Sequence, residues 1–226
     1  MSSVDHAAVY RGVRVRIAAL VTHLPDAMLH VVAPATPEWR VRDVLAHLAG
    51  ATADIASGNL DDVASDGWTG AQVDARRDVP IGAVLDEWAR CSAIVEPMIA
   101  TLDPLMRAML LTDVVTHEHD VRGALGVPGE RDSDAMAYAF RGISGGIGSQ
   151  RGDAGALRIL HDAGVSIVGA GEPTGTVRTT RFEIVRASVG RRSYDQIAAW
   201  DWDGDSRPES VVLARFAPPR VTALNE

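Results

Sequence analysis

Apolar residues recur at helical spacing through the first part of this chain and give way to shorter, mixed runs after about residue 150. Over residues 4–24 the stripe is Val13, Ile17, Leu20, Val21 and Leu24, one face of a 3.6-residue period, and Pro25 stops it. A second helix is predicted from Thr36 and Pro37, a good N-cap and a favoured first residue, to about Ser57. It turns Val41, Val44, Leu45 and Leu48 inward. Residues 58–70 read as a polar loop containing Trp68. A third helix starts near Pro80, carries Val84, Leu85, Trp88, Ile94 and Val95, and meets Pro97, which is expected to kink it. A fourth runs from Asp103 and Pro104 to Leu125 and is closed by Gly126, with Pro128 beyond. A fifth, about 132–143, is expected to pack on these four. The run Ser144-Gly-Gly-Ile-Gly148 then reads as a hinge or boundary, and it lacks the Gly-Lys-Ser/Thr of a phosphate loop.

Beyond it the rhythm changes. Leu157 to His161 and Val165 to Val168 flank Asp162-Ala-Gly164 and predict a β-hairpin, with another strand over Thr176 to Thr180. Phe182 to Val189, Tyr194 to Trp200 and Glu209 to Phe216 read as short helices. The predicted fold is therefore mostly α: an antiparallel four-helix bundle over residues 1–150, then a small α+β domain over 151–226. So small a second segment is expected to lean on the bundle.

Composition narrows the class of partner. The chain has 226 residues, 46% hydrophobic and 23% charged, ordinary values for a soluble globular protein. A net charge of −8 argues against nucleic acid or an anionic membrane surface, both of which call for a basic face. All 22 basic residues are Arg, which together with abundant Ala, Gly, Val and Asp points to a GC-rich bacterial genome. The one cysteine, Cys91, reads as a packing residue and permits no intramolecular disulfide, as expected in a reducing cytoplasm. An early Asp5 and the lack of a long apolar run argue against a signal peptide, and no run approaches the ~20 residues of a membrane span. The expectation is a cytoplasmic monomer or homodimer that acts on small molecules.

The chemistry concentrates in Asp113-Val-Val-Thr-His117-Glu-His-Asp120. Residues four apart on a helix share a face with Cβ atoms roughly 5–6 Å apart, so Asp113 and His117 stack. His117 falls inside the stripe of Leu110, Val114, Val121 and Leu125; Asp113 and Asp120 lie at one edge of it, Glu118 at the other, and His119 points away toward solvent. His47 stands at the flank of the second helix's stripe. Two readings fit: an Asp113–His117 pair that closes the core, or two ligands of a metal site completed by His47, with its fourth position open.

Asp201-Trp-Asp-Gly-Asp205 begins like a calcium loop, but the sixth and twelfth positions are Ser206 and Val212, and the reading is rejected. Trp39, Trp88, Trp200 and Trp202 read as core. Arg186, Arg191 and Arg192 either pair with local acids or grip a carboxylate bidentately.

Thr36-Pro-Glu-Trp39-Arg-Val-Arg-Asp-Val-Leu-Ala-His47-Leu-Ala-Gly50 resembles the N-terminal signature of the mycothiol-dependent maleylpyruvate isomerase family, a branch of the DinB-like metal-binding bundles. Asp113-x-x-x-His117-x-x-Asp120-x-x-x-Ala124-Leu-Gly126 is similar to its second signature. Arg181-Phe-Glu-Ile-Val-Arg186-Ala-Ser-Val-Gly190-Arg-Arg-Ser193, with the Asp201 segment, resembles the C-terminal part of actinobacterial members. The resemblance implies a DinB-like bundle holding a divalent metal, usually zinc, on His47, Asp113 and His117, with Asp120 orienting His117 from behind. The family often carries Glu where Asp113 stands, and Asp reaches one methylene less far. The resemblance further implies a low-molecular-weight thiol, mycothiol, as cofactor. Its metal-activated thiolate adds to a cis double bond, the adduct rotates, and expulsion leaves the trans product. Arg191 and Arg192 are the expected catalytic cations for the substrate's carboxylates. An isomerase or a thiol S-transferase is the leading expectation. The alternatives are a non-catalytic metal- or ligand-binding bundle, a sensor or stress protein with a decayed site, and a structural dimerisation module.

Overall fold

The computed structural model describes residues 4–204, 207–213 and 218–226. The chain divides into two compact units, Met1–Pro128 and Gly129–Glu226. The first is all helical among its described residues: α1 (His6–Val21), α2 (Asp26–Leu29), α3 (Val41–Ser57), α4 (Asp66–Ala75), α5 (Ile81–Val95) and α6 (Pro104–Leu125). The Asp5 carboxylate caps α1 by accepting from the Ala8 amide, and Tyr10, Val13, Ile17 and Val21 form its buried face. Pro80 precedes α5, and the helix tightens into a 3₁₀ turn over Glu96–Thr101, where Pro97 interrupts it. Asp103 caps α6, and Gly126 ends it in the left-handed conformation that favours glycine.

Two local expectations in this unit are corrected. Thr36 and Pro37 form a turn, not a helix start: the Trp39 amide donates to the Thr36 carbonyl, and α3 begins only at Val41. Arg40 precedes it, with backbone and guanidinium both donating to the Asp43 carboxylate. Residues 66–75 are helical, where the sequence pattern predicts a polar loop as far as residue 70. The Ser65 hydroxyl caps α4 on the Trp68 amide, and only Gln72 and Val73 of the helix are buried. So narrow a buried face leaves no apolar stripe to detect.

Helix α3 packs against α4, α5 and α6, and α1 against α6. Every residue of α6 from Leu110 to Val121 is buried except Asp113. His119, placed in solvent by the helical wheel, is therefore only 3% exposed. Glu118 is no candidate ligand: at 1% exposure it meets Arg16 through two bonds of 2.7–2.8 Å, and Arg122 one turn along its own helix.

The second unit consists of α7 (Asp134–Arg151), β1 (Ala156–His161), β2 (Gly164–Val168), β3 (Pro173–Arg178), α8 (Arg181–Ser188), α9 (Tyr194–Ala198) and β4 (Asp201–Gly204), with a 3₁₀ turn at Pro208–Val211. The hairpin forms as expected, with Leu157 opposite Val168 and His161 opposite Gly164. β3 then joins β1 in parallel, and β4 adds antiparallel to β3, giving the order β2-β1-β3-β4. The Asp201 segment is thus an edge strand; Asp205, Ser206 and the end of the helix expected over Glu209 to Phe216 lie outside the described residues.

The boundary expected at 150 is displaced. Helix α7 belongs to the second unit, where it packs on α8, β1 and β2, and it runs unbroken through Ser144–Gly148 instead of hinging there. Met136, Ala139, Phe140, Ile143 and Ile147 supply a continuous buried stripe that outweighs the low helix propensity of its glycines. Gly145→Ala should therefore stabilise the protein by about 0.5–1 kcal/mol in chemical denaturation, because a Cβ there meets nothing within 4 Å. Gly148→Ala should show no such gain, since its Cβ would come 3.0 Å from the Gly169 backbone nitrogen. A hinge at these glycines would give the opposite result at Gly145, a loss of stability.

Candidate metal centre

The side chains singled out on α3 and α6 meet. His47 Nε2 lies 3.3 Å from Asp113 Oδ2, and His117 Nε2 lies 3.4 Å from Asp113 Oδ1. One ligand-type atom from each of the three residues falls within 4.8 Å of the others. Zinc bonds of about 2.0–2.2 Å at tetrahedral angles place adjacent ligand atoms roughly 3.3–3.5 Å apart. Each imidazole stands at about that distance from one of the two Asp113 oxygens, so the shorter Asp113 reaches both histidines. The histidine side chains are only 6–7% exposed, whereas that of Asp113 is 38% exposed, leaving one side of the cluster open.

The outer nitrogens of both rings are held. His117 Nδ1 is 2.9 Å from Asp120 Oδ2, on a carboxylate with no exposure at all. His47 Nδ1 is 2.8 Å from Gln72 Oε1. Carboxylates only accept, so the His117 ring donates from Nδ1 to Asp120 and turns Nε2 toward Asp113, and its protonated form satisfies both acids. Gln72 was not foreseen, because it sits on α4, a helix with no apolar stripe. The one available signal was Gly50 in the motif around His47, a residue without a side chain where α4 crosses α3.

Trp39 is part of this cluster and not of the core. Its ring centroid is 5.2 Å from that of His47 and 5.7 Å from that of His117, the latter pair stacked at 30°. The turn at Thr36–Trp39 delivers the indole there, which explains why the helix starts only afterwards.

Charge in the cluster is tightly coupled. Burial alone would strip the extra proton from His117, but the Asp113 and Asp120 carboxylates outweigh it and raise its pKa to about 9. Burial would push Asp113 up, yet the two imidazoles hold its carboxyl well below the usual carboxylate range. In the metal-free protein the His117 contribution to stability is thus complete below about pH 6.5 and is lost as pH rises through about 9. That of Asp113 is present above about pH 4 and fades as acid protonates it.

Arg191 and Arg192 lie in the second unit with partners of their own. Arg192 is 3% exposed: Nε and one terminal nitrogen donate to Glu183, each at 2.7 Å, and the other terminal nitrogen donates to Glu226 at 2.6 Å. Arg186, fully buried, binds the same Glu226 carboxylate through two bonds. Arg191 donates to the Val189 carbonyl. Any substrate carboxylate at Arg192 has to displace two acids already in place.

No family model and no curated protein matches the chain. Two solved structures are similar to it: a mycothiol-dependent maleylpyruvate isomerase, with a TM-score of 0.53, and a histidine-to-alanine mutant of a mycothiol-dependent maleylpyruvate isomerase, with 0.56. Each is 12% identical, over 82% of this chain and 88% of its own. The likeness shows a shared fold.

Two outcomes follow. A zinc ion held by this cluster would have to displace the His117 proton, so its affinity should rise by about tenfold per pH unit up to about pH 9, with about one proton released per zinc near pH 7.5. Calorimetry in buffers of different ionisation heat measures that number, and zero release would remove His117 from the ligand set. Arg192→Ala should cost about 3 kcal/mol or more of unfolding free energy, because it strips a buried carboxylate of a partner. An unchanged denaturation midpoint would show that Arg192 is not a structural anchor.

Proposed function

We propose that this protein is a metal-dependent, mycothiol-using enzyme of the maleylpyruvate isomerase type, acting on a small carboxylated substrate as an isomerase or a thiol S-transferase. The observation that carries this reading is the convergence of His47 Nε2 and His117 Nε2 on Asp113, with both outer nitrogens already engaged. The fold likeness to structures named for that activity supports it. Part of the same reading is that α1, α3, α5 and α6 form an antiparallel DinB-like four-helix bundle.

His47, Asp113 and His117 would hold a divalent cation, zinc by the chemistry of two imidazoles and a carboxylate. When bound, it would supply the Lewis acidity that keeps a low-molecular-weight thiol ionised near neutral pH, and the thiol would supply the nucleophilic sulfur. The chain's own residues do the rest. Asp120 and Gln72 fix the ring planes of the two histidines. Asp113, on the exposed side, leaves the approach open to thiol and substrate. Trp39 covers the imidazole faces and keeps water from them. Cys91 has no part in this chemistry, since the nucleophile comes with the cofactor. Arg191 and Arg192 are retained in the proposal as cations for substrate carboxylates, with Arg192 limited by its competition with Glu183 and Glu226. No helix among the described residues is long and apolar enough to cross a membrane.

Elemental mass spectrometry of the wild type beside His47→Ala and His117→Ala tests the site, and thiol-dependent cis–trans isomerisation of maleylpyruvate tests the reaction. About one zinc per chain is expected, lost in both variants together with at least about 99% of the turnover. No metal after reconstitution, or full metal and activity in His117→Ala, would overturn the proposal. Stoichiometric metal with no turnover of any thiol-dependent kind would leave a binding protein in place of an enzyme.

A further inference from the structure

A polar chain extends outward from His47. Beyond the His47–Gln72 contact, Gln72 Nε2 donates to Asp54 Oδ2 at 2.7 Å, and Asp54 Oδ1 accepts from the Asn59 carboxamide at 2.9 Å. A carboxylate offers no donor, so Asp54 admits only the NH₂ end of Gln72. The carboxamide oxygen must then face His47, and only a proton on Nδ1 can satisfy it. Nε2 is left as the nitrogen directed at Asp113. Gln72 is 3% exposed, so a reversed amide would leave buried groups without complementary partners.

The backbone is shaped for this contact. Gly50, one helical turn after His47, is where α4 lies against α3. A Cβ there would come 2.5 Å from Gln72 Cβ and 2.7 Å from its Cγ. The absence of a side chain at Gly50 is what lets Gln72 reach the His47 ring.

We propose that Gln72, aligned by Asp54 and admitted by Gly50, is a positioning residue that holds the His47 imidazole with its proton on Nδ1 and its Nε2 facing the site. The proposal deepens the metal reading above and rests on it. It divides the labour between two kinds of support: His117 is oriented by a charged acceptor within its own helix, His47 by a neutral carboxamide from another helix whose direction is set one residue further out. The His47 arm is therefore the one that depends on how α4 docks.

The test combines zinc titration with proton-detected ¹⁵N NMR of the histidine rings. Gln72→Leu should weaken zinc binding by about 10–100-fold, the range for residues that support a metal ligand. Asp54→Ala should weaken it less, and Asp54→Asn should retain it, because the substituted carboxamide still offers Gln72 an oxygen. The Gln72→Leu/Asp54→Ala double variant should bind no more weakly than Gln72→Leu alone, since Asp54 acts through Gln72. Damage that is merely structural would add. Gly50→Ala should reproduce the Gln72→Leu loss. A hydrogen-bonded His47 Nδ1 proton should be visible in the wild type with or without metal and vanish in Gln72→Leu.

Wild-type zinc affinity in Gln72→Leu, additive losses in the double variant, or a His47 Nδ1 proton that persists without Gln72 would each overturn the proposal. If the wild type binds no zinc, the metal reading fails, and the Nδ1 proton in the metal-free protein still decides whether Gln72 orients the ring.

Discussion

Two nearly buried imidazoles from different helices face one carboxylate, and the first unit of the molecule is arranged around that meeting. An unpartnered ionisable group in such surroundings costs several kcal/mol, so His47, Asp113 and His117 are tolerable only together or with a cation between them. The metal-free protein meets the cost by placing the extra proton on His117 and keeping Asp113 ionised. The same strong charge coupling that stabilises this state is what a divalent ion held there would replace. Asp113 is the shared element, since each of its oxygens serves a different ring.

Around that centre the polar groups are organised in layers. Asp120, with no solvent exposure, faces the back of His117, while Gln72 and Asp54 stand behind His47. The Glu118 carboxylate, immediately beside His117 in sequence, is turned to Arg16 and Arg122 and takes no part in the cluster. Elsewhere in the unit the Tyr10 hydroxyl accepts from Trp88 Nε1 and shares hydrogen bonds with Thr52 and Ser92. That network satisfies polar groups of α1, α3 and α5 inside the unit, where an unpaired one would be costly.

The second unit has a centre of a different kind. Arg186 and Arg192 converge on Glu226, with Glu183 completing the second guanidinium, and the Arg192 plane lies 5.5 Å from the Phe182 ring. Here Arg186, Arg192 and Glu226 are almost fully enclosed, while Glu183 is partly exposed. An arrangement of two cations and two anions at these separations acts as an anchor for α8 and for the segment that carries Glu226. Arginine suits such a site because its planar fork binds a carboxylate through two parallel bonds.

The sequence by itself determined the helices with strong caps and stripes, above all α6 from Pro104 to Leu125, and the hairpin around Asp162-Ala-Gly164. It also determined that Asp113 and His117 share a face, since a four-residue spacing is fixed by the helical repeat. Those are short-range facts, set by φ/ψ preference and periodicity. What it left to tertiary structure involved residues far apart in the chain. Helix α4 carries no stripe of its own and lies against α3 where Gly50 admits it, so Gln72 could not be placed beside His47 from spacing. His119 looked solvated because a helical wheel assumes one wet face, and α6 is enclosed on nearly all sides. The glycines of Ser144–Gly148 looked like a hinge because their propensity is local, whereas the stripe that keeps them helical draws on packing against α8 and the sheet. Nothing local revealed that Glu183 and Glu226 fold onto Arg192, because those acids stand 9 and 34 residues away from it. Periodicity fixes which way a side chain points; only the packed chain supplies the partner it finds there.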